Sequence, residues 1–280
     1  MLPLWRNRVY IVLSPEHLTL VKLGRGLKPK LLGQLDEVIQ PPANQNSAWQ
    51  TAVDRLAQVL ALPEWQGADA NIVLSNRLAR FAVIPPNTQL KKYTAQEAFA
   101  RHMLSQTYGA AISQWTLRIQ PGKPAEPWLV SAIEQSLLDN VKQICAANKL
   151  SLDQVTPWLG PIFNRFRNHL STNPAWLVIN EPGASLCILI KAGEIVCVSN
   201  LSHESINDLP ALLDRENLRS NLPAPCKHVY LHTASALNLT AMNKKGYEIN
   251  RLEFAAPEGM PDYAAGHYGI ALSGVLSCKK

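Results

Sequence analysis

Charge is scarce in this sequence: only 17% of its 280 residues are Asp, Glu, Lys or Arg, against 47% apolar. That balance excludes an extended disordered chain. Long apolar runs are missing as well. The longest, around Ser185–Ile190, falls far short of the ~20 residues a helix needs to cross a bilayer. The opening MLPLWRNRVY has no apolar core of about 7–15 residues before a small-residue cleavage site, so no secretory signal is read and a cytoplasmic protein without a membrane span is expected. Cysteine is sparse and unpaired in pattern. Cys145, Cys187, Cys197, Cys226 and Cys278 are odd in number, contain no C-x-x-C and lie mostly in apolar contexts. They read as reduced thiols and exclude a disulfide framework or a cysteine zinc site.

What is present is a core-forming length, enough for two packed lobes, and a diffuse positive charge. The formal +6 is spread over Arg6/Arg8, Arg25/Lys28/Lys30, Lys91/Lys92, Arg165/Arg167, Lys244/Lys245 and Lys279/Lys280. Such a surface suits an acidic partner, anionic lipid or nucleic acid, and by itself selects none of them.

Periodicity predicts strands at Arg8–Leu13, Thr19–Leu23 and Leu31–Val38, separated by Ser-Pro and GRGLKP turns. A helix follows over Asn46–Leu62, with Trp49, Val53, Leu56 and Leu60 on one face, then a strand at Asn71–Leu74. Trp128–Ile133 reads as a strand, Glu134–Asn148 as a helix and Gln154–Thr156 as a short strand. The second half repeats this order. Strands Trp176–Ile179, Ser185–Lys191 and Glu194–Ser199 precede a helix at Asp208–Ser220 and the strand His228–His232. A helix near Ala236–Lys244, the strand Glu248–Leu252 and a helix near Tyr263–Leu276 complete it. Both halves read βββ-α-β-α-β plus a helix, the pattern of two similar α/β lobes.

An interruption of the first lobe, about 85–127, reads as a small inserted α+β subdomain. Its helix is expected to start with a capping box at Thr94-x-x-Glu97 and to end at Gly109, ahead of a strand at Gln114–Gln120. The loop Ser171–Pro174 is the expected boundary. Lobe one is thus expected over 1–173, lobe two over 174–262, and a closing C-terminal helix over 263–280.

Duplicated βββαβαβ lobes of the ribonuclease H type are the plan of the actin-like ATPase superfamily. Within it the chain resembles the PilM, MshI and GspL types of type IV pilus and type II secretion assembly. The resemblance is carried by VYIVLSPEHLTLVKL (Val9–Leu23), NIVLSNRLARFAVIPP (Asn71–Pro86), WLVINEPGASLCILIKAGEIV (Trp176–Val196) and YAAGHYGIALSG (Tyr263–Gly274). Active members of that superfamily grip ATP with two Asp-x-Gly hairpins and a late glycine turn. Glycines let backbone N–H groups approach the phosphates, and the aspartates orient Mg²⁺ and water. On this chain the first Asp and Gly fall at Val12 and Ser14, followed by Pro15; the second pair falls at Ile179 and Glu181, with Gly183 retained; the late turn reads Thr233-Ala234-Ser235. The resemblance therefore implies degenerate nucleotide loops, no nucleotide cofactor and no catalysis.

It also implies partners. In the PilM type, the inserted subdomain and the adjacent face of lobe one form a groove for the N-terminal tail of a bitopic inner-membrane PilN-type protein. Arg77, Arg80, Phe81 and Tyr93 are the residues expected to line it here. An assembly ATPase and further copies of the chain in a ring are the other expected partners, at the cytoplasmic face of the inner membrane. An active actin-like ATPase or kinase relative is the alternative, and a basic nucleic-acid-binding protein the second alternative.

The remaining candidates read as structural. Ser202-His203-Glu204 holds triad residue types in adjacent positions, which rarely converge. His228 and His232 lie on one face of a strand, about 13 Å apart along it, too far to share a metal. In Arg165-Phe166-Arg167 the phenyl ring is expected inward and both arginines in water. No metal site is expected.

Overall fold

The computed structural model describes residues 6–26, 30–40, 47, 49–120, 126–170, 173–203, 205–220, 222–234, 245–255, 266–273 and 277–278. Apolar β-branched runs make its central strands. Strands β1 (Arg8–Ser14) and β2 (His17–Leu23) form an antiparallel hairpin closed by the pair Ser14–His17. Both are buried along almost their whole length, as strands covered on two faces must be. Strand β3 (Leu31–Val38) is the sheet edge and alternates half-buried with exposed residues. Helix α1 (Gln50–Leu60) turns Ala52, Val53, Leu56, Val59 and Leu60 inward. It starts four residues later than periodicity predicts, with Trp49 at its cap. The chain then enters β4 (Asp69–Leu74), parallel to β1.

Here the inserted segment begins. Strand β5 (Ala79–Ile84), helix α2 (Tyr93–Tyr108), β6 (Trp115–Gln120) and β7 (Trp128–Glu134) build a three-stranded antiparallel sheet, ordered β5-β7-β6. Helix α2 packs on it through Ala100 and Leu104, which join Ile84, Ile112, Leu117, Trp128, Val130 and Ala132 in a core of their own. Gly109 ends α2 at φ +61°, a conformation that costs a side chain about 1 kcal/mol or more. The expected capping box does not form. The helix begins two residues early, with Lys92 at the cap position in place of Thr94, so Thr94 sits inside the first turn and no side chain caps the end. Glu97 instead accepts from Arg101 Nη2 at 3.0 Å, one turn on.

The first lobe resumes with α3 (Gln135–Ala147), whose Leu137, Val141 and Cys145 are buried, β8 (Ser151–Pro157), parallel to β4, and α4 (Leu159–Phe166). Its sheet order is β3-β2-β1-β4-β8. The second lobe repeats it. Strands β9 (Ala175–Glu181), β10 (Ala184–Lys191) and β11 (Glu194–Ser202) are antiparallel, α5 (Leu209–Arg219) follows, and β12 (His228–Thr233) and β13 (Glu248–Arg251) extend the sheet in parallel. The order is β11-β10-β9-β12-β13, the same arrangement as in lobe one. The β10–β11 turn places Ala192 at φ 53° and Gly193 at φ 81°, the paired left-handed conformation of a two-residue hairpin loop. The expected helix Ala236–Lys244 lies outside the described residues.

Strand β14 (Phe254–Ala255), helix α6 (Gly266–Ala271) and β15 (Ser277–Cys278) complete the chain, with β14 and β15 paired. Helix α6 packs on β1, β2 and β4. It stops before Leu276, because Leu272 and Ser273 already turn. By packing, the chain forms two compact units: 1–78 with 135–165 and 253–280, and 79–134 with 166–252. The inserted segment thus groups with the second unit. Among the described residues no helix is long and apolar enough to cross a membrane.

Candidate functional site

Each lobe presents a hairpin turn, β1–β2 and β9–β10, at the position where the resemblance to actin-like ATPases leads one to expect a phosphate loop. In the first unit the position expected to hold an aspartate is Val12, fully buried in the middle of β1. The turn itself is Pro15-Glu16. Pro15 offers no N–H to an anion, Ser14 Oγ donates to the His17 carbonyl at 3.1 Å, and the Glu16 carboxylate accepts from Arg77 Nη1 at 2.6 Å. The turn therefore presents a carboxylate paired with Arg77.

In the second unit the corresponding position is Ile179, also fully buried. Glu181 closes the turn at 3% exposure, opposite Ala184. Gly183 keeps the left-handed geometry, φ 74°, that a phosphate turn would use. Around it runs a chain of polar side chains: Ser185 Oγ donates to Asn180 Oδ1 at 2.9 Å, His203 Nε2 lies 2.9 Å from Ser185 Oγ, and Asn180 Nδ2 reaches Thr233 Oγ1 at 3.4 Å. Ala234 follows Thr233 at the end of β12, while Ser235 lies outside the described residues. These residues do not fit Mg-nucleotide: neither buried aliphatic position can orient a metal, and one turn lacks the backbone donor.

The partner of His203 is thus Ser185, reached across the β10–β11 pair, and not its neighbour Ser202. This pair is not a nucleophile and base. Ser185 is fully buried, and among the described residues no carboxylate hydrogen-bonds the imidazole; Glu204 lies outside them. Burial pushes the His203 pKa down. His228 and His232 also part company: His228 Nδ1 pairs with Glu248 at 2.7 Å, whereas buried His232 meets the Leu252 carbonyl at 2.9 Å. Phe166 is inward at 2% exposure, as expected. Arg165 is not in open water; its Nε and Nη2 donate to the Ser273 carbonyl at 3.1 and 2.7 Å. Helix α6 explains the difference by bringing that carbonyl alongside.

The four residues expected to line a peptide groove do not form one set. Arg77 belongs to the first unit and is held by Glu16. Arg80 and Phe81 are adjacent on β5 and so point to opposite faces of the insertion's sheet. Arg80 lies over the Trp115 ring at 5.9 Å, on the face that α2 covers. Tyr93 opens α2 and is 45% exposed. Register puts Val83, Leu129, Ser131 and Ile133 beside Phe81 on the other face. Phe81, Val83 and Leu129 are each half-buried there and form an apolar row. The outer edge of β5 lies alongside β11, and β6 forms the other edge of this sheet.

No family model and no curated protein sequence matches the chain. Solved structures do. A chain of the PilM-PilN type IV pilus biogenesis complex aligns with a TM-score of 0.65 at 12% identity, over 87% of each chain. A Bacteroides thetaiotaomicron protein of unknown function with an actin-like ATPase fold aligns at 0.62 and 11%, over 97% of this chain and 96% of that one.

The fold is actin-like.

The cytoplasmic domain of EpsL, an inner-membrane component of the Vibrio cholerae type II secretion system, is similar at 0.56 and 8%, over 96% and 93%. The actin-like frame accounts for the two five-stranded sheets of matching order.

Proposed function

We propose that this chain is a non-catalytic, actin-like scaffold of a type IV pilus or type II secretion assembly platform at the cytoplasmic face of the inner membrane. The observation that carries the reading is the pair of buried aliphatic residues, Val12 and Ile179, where nucleotide hydrolysis needs carboxylates. A fold kept over nearly its full length, with its phosphate grips rebuilt as apolar core, has been retained for its surfaces. Similarity to a chain of a PilM-PilN type IV pilus biogenesis complex and to the cytoplasmic domain of EpsL supports the same direction.

In this reading the partner is the N-terminal tail of a bitopic PilN-type membrane protein. The half-buried row Phe81, Val83 and Leu129 on the insertion's sheet offers apolar pockets, and an extended tail adds backbone pairing at a strand edge. An assembly ATPase and further copies of the chain are secondary partners, and the net charge of +6 suits a position near anionic lipid. The test is fractionation: deleting the partner's cytoplasmic tail releases this protein from membranes. Retention at an unchanged level would reject the tail as its anchor.

A further inference from the structure

Three side chains far apart in sequence meet on the first lobe. His17 opens β2, Asp36 lies near the end of the neighbouring strand β3, and His267 comes from α6. His17 Nε2 is 2.6 Å from Asp36 Oδ1, and Thr19 Oγ1 donates to the same carboxylate oxygen at 2.5 Å. The His267 ring stacks on His17, with centroids 3.8 Å apart and planes inclined by 22°. One ligand atom from each of the three residues lies within 4.8 Å of the other two.

This is a donor set with the composition of a metal site. Tetrahedral zinc holds nitrogen and oxygen ligands at about 2.0–2.2 Å, which sets its donors about 3.3 Å apart. The spread here, from 2.6 Å to at most 4.8 Å, straddles that value, and convergence on one ion requires the two stacked imidazoles to turn toward it. Imidazole plus carboxylate favours zinc-class cations over magnesium or calcium, which prefer all-oxygen shells. The Thr19 hydroxyl orients the carboxylate, as the outer partners of metal ligands do. Asp36 is the most exposed of the three, which gives a cation its way in.

We propose that His17, Asp36 and His267 form a zinc-class divalent cation site, with one coordination position left to water. The bound ion ties α6 to the β2–β3 edge of the first lobe. This site is independent of the scaffold reading, although His17 also closes the first hairpin turn.

The experiment titrates metal-stripped full-length chain with ZnCl2 at pH 7.5, following heat and thermal unfolding. One zinc per chain binds, and Tm climbs with zinc concentration, since binding confined to the folded state raises its melting point. Magnesium at the same concentration leaves Tm in place. Asp36→Asn and His17→Gln each weaken zinc at least tenfold, while His228→Gln, at the exposed His228–Glu248 pair, leaves it unchanged. His267→Gln removes a half-buried group stacked on His17, so the decision rests on Asp36→Asn, whose residue is exposed. Overturning results are stoichiometry well below one, or affinity indifferent to both Asp36→Asn and His17→Gln.

Discussion

The indole Nε1 of Trp176 donates to Asn217 Oδ1 at 3.1 Å, in a site where both residues are buried. The same oxygen accepts from the Cys226 backbone N–H at 3.0 Å, and Asn217 Nδ2 donates to the Cys226 carbonyl at 3.1 Å. One amide thus satisfies an indole and both backbone groups of a residue entering β12. Asn217→Ala strands all three in the second-lobe core, at about 1–3 kcal/mol for each unsatisfied group. The expected loss in urea unfolding is about 3 kcal/mol, with an unchanged m-value.

Val12→Asp does not recover nucleotide binding. The new carboxylate enters a fully buried strand position between Thr19 on β2 and Val73 on β4, and Thr19 Oγ1 already donates to Asp36, so the variant loses at least about 3 kcal/mol of stability. Calorimetry with Mg-ATP then detects no saturable binding in either wild type or variant. Micromolar affinity in the wild type would revive the ATPase alternative.

His203 makes stability fall in mild acid. Burial holds its folded-state pKa below the usual value of 6.5, so the unfolded chain takes up a proton first. Stability from this group is intact above about pH 6.5 and declines as pH drops below it, levelling once the folded form also protonates. His203→Gln flattens the denaturant midpoint between pH 7 and 5 relative to wild type. An equally steep profile in the variant assigns the slope to other groups.

Phe81→Asp separates partner capture from folding. The residue is half-buried, on the sheet face away from the α2 core. Affinity for a synthetic PilN-type tail drops more than tenfold by fluorescence anisotropy, while Tm moves by only a few degrees. Equal affinity would relocate the groove.

How much of this was legible in sequence follows the range of the forces involved. Strands rich in β-branched residues, the apolar face of α1, and the Ala192-Gly193 turn are local, and they stand within a few residues of where periodicity places them. The capping box failed because Thr94 and Glu97 satisfy the pattern while Arg101 competes for Glu97 and also reaches the Ile112 and Trp115 carbonyls. Arg101 answers to tertiary neighbours that spacing does not reveal. His17, Asp36 and His267 were not singled out at all. Strand pairing of Thr19 with Asp36 could have suggested the first two, but nothing local announces a histidine some 250 residues later on another element. The pair His228 and His232 drew notice for its short spacing, and the structure sends each to a different partner.

The first unit is stitched from the beginning, the middle and the end of the chain, whereas the second closes by residue 252. During synthesis, the second unit has all its strands before α6 and β15 leave the ribosome. The first must wait with its β1–β2 hairpin and β4 already made but one flank uncovered. Vectorial emergence therefore reverses numerical order, and the unit begun first is the last to be finished.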